Sequence, residues 1–267
     1  MAQLRTFSFG GGVQSTAALV LAAQERIDFN IFLFANVGDD SENPATLRYV
    51  EEYAKPYAAE HGIELHELQR IPKKGKYKGQ IETVYGRCVG DNRSICIPVR
   101  LSNGAPGRRN CTTDFKIAVI GRWQREHGAT KDNPAVCGLG ISIDEIQRMR
   151  SDSGIKTQVL EYPLIDLHLT RSDCRTIIAN AGLPVPPKSA CWFCPFQRHS
   201  QWQDMRREDP ELFQRAVKLE QRINDKRNAI GRDRVYLHPS ANLLADAVAL
   251  QYTLFEETTC DSGYCFT

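Results

Sequence analysis

Three consecutive glycines at positions 10–12 constrain this chain more than any other feature of its sequence. They follow an apolar run from Thr6 to Phe9 that is typical of a β-strand, and they lead into an alanine- and leucine-rich helical segment. Because glycine has no Cβ atom, such a run lets backbone N–H groups curl around an anion, and the start of the helix adds a positive dipole end. The segment therefore predicts a strand, a phosphate-binding loop and a helix.

The spacing of the residues in this loop distinguishes it from the two commonest kinds of phosphate-binding loop. It has neither the G-x-x-x-x-G-K-[ST] spacing of a Walker loop nor the G-x-G-x-x-G spacing of a dinucleotide fold. Residues Gly10 to Thr16 instead resemble the pyrophosphate loop of the N-type ATP pyrophosphatases, S-G-G-x-D-S-[ST]. Gly10 replaces the usual serine and Gln14 the usual aspartate, and the glutamine is similar to the branch that contains phosphoadenosine-phosphosulfate reductases and DndC-type (SspD-like) DNA-sulfuration enzymes. A glycine-rich turn without a ligand is the alternative.

The resemblance implies that the loop holds the phosphates of ATP together with Mg²⁺, and that the adenine lies against the end of the second strand. The nucleotide-binding residues implied in this way are Ser8, Gly10, Gly11, Gly12, Gln14, Ser15, Thr16, Ala35, Asn36, Val37 and Gly140.

The first third of the chain alternates strands and helices, with a nearly all-apolar strand at Ile31–Val37 and a third strand at Ile63–Leu68. This order predicts an α/β fold with a doubly wound, mostly parallel sheet. The resemblance implies an adenine nucleotide alpha-hydrolase-like version of it. We expect an ATP pyrophosphatase domain over 1–182, with a basic insertion at about 70–110, and a helical, cysteine-bearing C-terminal region over 183–267.

Composition places the chain in a general class. Its 267 residues are 42% hydrophobic and 25% charged, which is ordinary for a globular protein. It has no apolar run of membrane-spanning length and no signal-peptide pattern, so we expect a cytoplasmic protein without a membrane partner. Nine cysteines in a cytoplasmic protein indicate metal or redox chemistry rather than disulfides.

Positive charge is concentrated in one part of the chain. The net charge is only +2, but the window from Arg70 to Arg125 holds thirteen lysines and arginines against three acids. Such a field beside a phosphate loop predicts a polyanionic partner, and a solvated surface loop is the alternative for Lys73 to Lys78. Arginine suits bidentate phosphate contacts, so Arg93, Arg108 and Arg109 are the candidate substrate residues.

Cys191 and Cys194 form a C-x-x-C pair that is followed by proline. The spacing alone is compatible with zinc, with an iron–sulfur cluster or with a redox dithiol. We predict a [4Fe–4S] cluster bound by Cys111, Cys191, Cys194 and one tail cysteine, Cys260 or Cys265. Zinc is the alternative metal.

Separate buried thiols are the simplest alternative for any cysteine. That interpretation suits Cys137 and Cys174, whereas Cys88 and Cys96 lie in the basic insertion and are expected to be surface thiols.

Two further segments strengthen the resemblance. Arg108 to Ile117 is similar to a family segment that places a cysteine and a lysine near the nucleotide phosphates, which implies that Lys116 neutralises phosphate. The segment from Gly140 to Arg148 is similar to G-[IL]-R-x-x-[EQ]-S-x-x-R, with Ser142 in place of the first arginine. It implies contacts of Glu145 and Arg148 with substrate or pyrophosphate, although their spacing also fits a surface ion pair on a helix. The candidate catalytic residues are Ser15, Lys116, Glu145 and Arg148.

The resulting hypothesis is an ATP pyrophosphatase that adenylates an acceptor oxygen so that sulfur can replace it. DNA phosphorothioation is favoured over transfer-RNA thiolation, and the chemistry implies a cysteine desulfurase as the sulfur donor. A reductase of phosphoadenylyl or adenylyl sulfate is the first alternative, but the tail lacks the E-C-G-x-H context and the adjacent cysteine pairs of those enzymes. A non-catalytic nucleic-acid-binding module that carries the cluster is the second.

Overall fold

The structure is a computed structural model that describes residues 3–75, 77–91 and 95–249. Five strands in this part of the chain form a sheet in the order β3-β2-β1-β4-β5, and every neighbouring pair is parallel. The prediction of an α/β fold with a parallel sheet is confirmed. The strands are β1 (Arg5–Phe9), β2 (Ile31–Asn36), β3 (Glu64–Gln69), β4 (Ala135–Leu139) and β5 (Gln158–Glu161).

Helices connect the strands and make up most of the C-terminal part. The longest in the described residues has 19 residues and is strongly charged, and no described helix has the length and apolar character needed to cross a membrane. The α-helices are α1 (Val13–Ala23), α2 (Pro44–Tyr49), α3 (Lys55–Glu60), α4 (Val84–Val89), α5 (Asn110–Thr112), α6 (Ala118–Glu126), α7 (Pro163–Asp166), α8 (Arg171–Asn180), α9 (His199–Glu208), α10 (Pro210–Asn228) and α11 (Leu244–Ala249).

Two π-helical turns join some of these helices into longer units. One, Val50–Ala54, joins α2 to α3, and the other, Thr113–Ile117, joins α5 to α6. The side chain of Asn43 caps the start of α2 by accepting a hydrogen bond from the Ala45 N–H at 2.8 Å. Residues from Pro44 to Glu60 therefore form one continuous helical segment.

The alternating side chains of the strands pack against helices on both faces of the sheet. Phe7 and Phe34 contribute to a core cluster that includes residues of α1 and α8. On the opposite face, Leu33 and Cys137 pack with Ile120 of α6. This two-sided packing explains why β2 is almost entirely apolar.

The strand order reverses at β1. The chain runs outward from β1 to β2 and β3, and then returns to place β4 and β5 on the other side of β1. In parallel sheets this reversal opens a crevice at the carboxyl ends of the two central strands, and ligands bind there. The glycine loop follows β1 directly, so it lies at this crevice.

The basic insertion is more ordered than the sequence indicates. Residues such as Val84 and Val99 pack against Phe213 and Ile223 of α10 in a second core cluster. The expectation of surface thiols in this segment is wrong, because Cys88 and Cys96 are both buried in that cluster, with their sulfur atoms 3.6 Å apart. The hydrophobic residues between the charged ones therefore determine how the insertion folds.

Candidate functional site

A cavity of about 280 Å³ lies at the carboxyl ends of β1 and β4, where the strand order reverses. Residues from distant parts of the sequence meet in its wall. The predicted site residues that line it are Ser8, Gly10, Gly12, Gln14, Ser15, Ala35, Val37, Arg109, Cys111, Lys116, Gly140, Glu145, Arg148, Cys191 and Cys194.

The glycine loop depends on the absence of side chains at two points. Gly11 has a φ of +71°, and a Cβ atom there would lie 2.9 Å from Cγ2 of Thr46. Gly140, which follows β4, lets that strand end approach the start of α1, because a Cβ atom at this position would lie 3.2 Å from the Ser15 nitrogen. Both glycines therefore shape the loop rather than serve only as generic turn residues.

The Ser15 hydroxyl bonds to its own loop. It donates a hydrogen bond to the Gly12 carbonyl at 3.0 Å and accepts one from the Gly12 N–H at 3.2 Å. The Ser15 hydroxyl is thus held at the N-terminus of α1, where the free N–H groups and the helix dipole favour the binding of an anion.

Three predicted nucleotide-binding residues are absent from the cavity wall. Gly11 faces Thr46, and Thr16 is fully buried behind the loop. The Asn36 amide donates hydrogen bonds to Asp39 and Glu67, both at 2.7 Å. These residues support the loop and the strand end instead of facing the cavity.

Gln14 connects the loop to the segment after β4. Its amide nitrogen donates a hydrogen bond to Oε2 of Glu145 at 3.0 Å, and the Arg148 guanidinium lies 2.5 Å from the same oxygen. Burial raises the pKa of Glu145, and the charges of Arg148 and Arg171 oppose this effect. Glu145 and Arg148 therefore form the i, i+3 ion pair that their spacing allows, but the pair is buried, at 3% and 7% exposed, rather than lying on the surface.

The three predicted metal ligands of the described chain, Cys111, Cys191 and Cys194, share one wall of the cavity. Burial raises the pKa of each thiol, to about 11 for Cys111, and the neighbouring cysteines add to this effect at Cys111 and Cys191. No group of three or more His, Cys, Asp or Glu side chains in the described residues is arranged to hold a metal ion. Cys260 and Cys265 lie outside the described residues.

The C-x-x-C loop is fixed by hydrogen bonds on both sides. The Cys194 N–H donates to the Cys191 carbonyl at 3.0 Å, and the indole N–H of Trp192 donates to the Asp40 carbonyl at 2.8 Å. Trp192 and Phe193 point into the core cluster with α10 rather than into the cavity. The aromatic residues of the motif therefore anchor the loop.

Lys116 lies in the π-helical turn between α5 and α6, a type of irregularity that is common at functional sites. Burial alone would lower the pKa of Lys116, but the charge of the Glu42 carboxyl group raises it above its ordinary value. The lysine therefore remains a cation at the point where the thiols and the cavity meet.

The predicted substrate arginines do not all lie at the cavity. Arg109 lines the cavity with its guanidinium 5.2 Å from the centre of the Phe196 ring, whereas Arg108 is exposed outside the cavity wall. Arg93 lies outside the described residues. Other cations of the basic window are paired within the fold, since Arg70 and Arg87 both bond to Glu82. The positive electrostatic field of the segment from Arg70 to Arg125 is accordingly weaker than its formal charge implies.

Several cavity residues were not predicted from the sequence. Arg150, Arg171, Lys188 and Ser189 all line the wall, and the Ser189 hydroxyl donates a hydrogen bond to the Gly10 carbonyl. The position of Lys188 and Ser189 just before the C-x-x-C pair was a usable signal, although the segment reads as a stiff proline-rich linker. Nothing in the sequence connects Arg150 or Arg171 to the loop.

The wall carries a strong excess of positive charge. Among the described residues, Glu145 is the one acid that lines the cavity, and six cationic side chains line it as well: Arg109, Lys116, Arg148, Arg150, Arg171 and Lys188. A cavity with this excess favours ligands that carry several negative charges. Comparison with known proteins assigns no family, because no protein-family model and no curated protein matches the chain.

Proposed function

We propose that the chain is an ATP pyrophosphatase with an adenine nucleotide alpha-hydrolase-like fold, which activates an acceptor oxygen for replacement by sulfur in the cytoplasm. One observation carries the proposal: the glycine loop, six cationic side chains and three cysteines line the same cavity at the reversal of strand order. A glycine-rich turn without a ligand would need neither the cations nor the thiols around it.

ATP would bind with its β- and γ-phosphates and Mg²⁺ at the glycine loop, in the positive field of the α1 N-terminus. The Ser15 hydroxyl would exchange its bond with Gly12 for a phosphate oxygen. Lys116 and Arg148 would neutralise phosphate charge, and the adenine would lie near Ala35 and Val37, which line the cavity.

The reaction begins when an acceptor oxygen attacks the α-phosphorus. The bond from this phosphorus to its bridging oxygen breaks, and pyrophosphate leaves with the electron pair. Hydrosulfide, which a thiol reductant releases from the persulfide of the sulfur donor, then attacks the acceptor atom. AMP leaves with the former acceptor oxygen, so this substitution of sulfur for oxygen involves no further oxidation or reduction. Positioning and charge neutralisation dominate the catalysis of such transfers, and the cavity wall supplies both.

The proposed cofactor is a [4Fe–4S] cluster held by Cys111, Cys191 and Cys194, which share one wall of the cavity, and zinc is the alternative metal. A cluster would supply iron to hold the incoming sulfide, with Cys260 or Cys265 as the proposed fourth ligand.

We favour DNA over transfer RNA as the acceptor and a cysteine desulfurase as the sulfur donor. The support is electrostatic: the cavity carries excess positive charge, and exposed Arg108 adjoins Arg109 of its wall. Both nucleic acids have the phosphate backbone that this charge would bind, so the choice between them is made by experiment.

The test is sulfur incorporation by the anaerobically purified protein, supplied with a desulfurase, cysteine radiolabelled at sulfur, a thiol reductant, ATP and either DNA or transfer RNA. Label in DNA that requires ATP supports the proposal. If label appears in transfer RNA alone, the proposed chemistry stands and the acceptor is transfer RNA instead of DNA. Sulfite release from phosphoadenylyl sulfate without ATP cleavage would replace the proposal by a reductase.

A further inference from the structure

Glu42 is a buried acid that the proposed function does not use. Its side chain is 1% exposed, and neither carboxyl oxygen accepts a hydrogen bond. A buried carboxyl group without hydrogen bonds costs several kcal/mol of folding free energy. Its presence here is therefore not explained by a contribution to stability.

The segment around Glu42 is fixed against the C-x-x-C loop. Glu42 pairs with Cys191 as an antiparallel bridge. On either side of it, the Trp192 N–H donates to the Ser41 carbonyl at 3.2 Å, and the Asn43 N–H donates to the Ala190 carbonyl at 3.1 Å. The backbone thus holds the carboxyl group next to one of the thiols.

Among the described residues, the cation paired with this carboxyl group is Lys116, with its Nζ atom 3.8 Å from Oε1 of Glu42. Lys116 lines the cavity wall, whereas Glu42 is not among the lining residues. The ammonium group can therefore reach a ligand in the cavity while the buried carboxyl group lies beside it. An acid in this position attracts the lysine without competing with the ligand for space.

We propose that Glu42 is a positioning residue for Lys116, which it holds at the junction of the cysteines and the nucleotide phosphates. The inference rests on the proposed function, in which Lys116 contacts phosphate. Without the carboxyl group, the flexible lysine side chain would sample other rotamers, and anion binding would have to restore its order.

The experiment is a double-mutant cycle on the full chain, with the dissociation constants of ATP and inorganic pyrophosphate measured by calorimetry for the parent, E42Q, K116M and the double variant. E42Q should weaken ATP binding about tenfold in the parent. In the K116M background it should weaken binding by less than about a further twofold, since the effects of substitutions at coupled residues do not add. E126Q removes a carboxyl group from another lysine pair, with Lys73 at 3.7 Å and outside the cavity wall, and is the control that should leave binding unchanged.

Thermal unfolding separates positioning from a structural role. The double variant E42L/K116M replaces both charges by apolar groups, and such replacements of buried pairs are often neutral or stabilising. It should unfold at or above the temperature of the parent and bind ATP like K116M alone. This variant distinguishes positioning from a structural role even if E42Q fails to fold.

The outcomes distinguish the two proposals. If the parent binds ATP and E42Q binds it equally well, or if the two substitutions act additively, the role of Glu42 is overturned and the proposed function stands. Coupled loss of binding without pyrophosphate release supports Glu42 and overturns the pyrophosphatase. A parent that binds neither ATP nor pyrophosphate overturns both.

Discussion

The amide nitrogen of Gln14 lies 3.0 Å from Oε2 of Glu145 and donates a hydrogen bond to it, which links the glycine loop to the segment after β4. The family loop that this chain resembles has aspartate at the position of Gln14. An acid at this position would face Glu145 directly. The glutamine is therefore matched to its neighbour, and the match can be tested.

We expect Q14E to destabilise the protein, because it places two carboxyl groups in contact inside a partly buried wall. The free energy of unfolding at pH 8 should fall by about 1–3 kcal/mol, as for other buried polar groups that lose a partner. Urea denaturation measures the change. The double variant Q14E/E145Q should regain most of the loss, and an equal loss in both backgrounds would contradict the contact.

The hydrogen bond from Ser189 to the Gly10 carbonyl connects the segment before the C-x-x-C pair to the glycine loop. Ser189→Ala should lower the unfolding free energy by about 1 kcal/mol and weaken ATP binding, since the loop loses a side-chain restraint. Calorimetry with ATP and urea denaturation test the two effects. Ser172→Ala, at an exposed position on α8, is the control that should change neither.

Glu220 on α10 makes stability depend on pH. Its carboxyl oxygens accept hydrogen bonds from the N–H groups of Leu237 and Leu244, both at 2.7 Å. Burial nevertheless raises its pKa from 4.5 to about 7. Between these pH values the folded protein holds a proton that the unfolded chain has lost, so this group's contribution to stability falls as the pH rises, by about 3 kcal/mol in all.

Urea denaturation of the parent and E220Q at pH 5 and pH 7.5 tests this effect. The difference in stability between the two proteins should shift in favour of E220Q at the higher pH. The comparison cancels the opposite effect of His238, whose pKa burial lowers to about 4 and which therefore destabilises the fold as the pH falls below 6.5. A difference that is constant with pH would show that Glu220 titrates normally.

Replacing any of the three cavity cysteines should reduce iron binding. We expect C111S, C191S and C194S to lose most of the iron and acid-labile sulfide and the broad visible absorbance of a cluster. C174S alters a cysteine buried against α1 and should retain them. Zinc in place of iron in the parent, or full iron content in C191S, would contradict the ligand assignment.

The sequence was sufficient to predict the parallel sheet and much of the cavity wall. Apolar strands such as Ile31–Asn36 and the loop at Gly10–Gly12 are local features, and the carboxyl ends of parallel strands necessarily share one edge. Lys116 and Cys111 followed from the resemblance, and both line the cavity.

The remaining features depend on contacts between distant parts of the chain. Glu42 meets Lys116 only because the segment after β2 pairs with the C-x-x-C loop, and no local pattern indicates that pairing. Cys88 was expected at the surface because charged residues surround it in sequence, but it packs with α10. Asn36 was expected to contact the nucleotide, yet its amide is bound to Asp39 and Glu67. Side-chain partners of this kind are set by tertiary packing.

The most direct test of the central claim is pyrophosphate release from ATP by the anaerobically purified full chain, measured beside S15A and K116M, with nucleic acid and sodium sulfide present. We predict that the parent releases pyrophosphate and AMP in equal amounts, and that each substitution lowers the rate at least about tenfold, as loss of a phosphate contact does. No pyrophosphate from the parent, in a sample that retains its iron, would contradict the account.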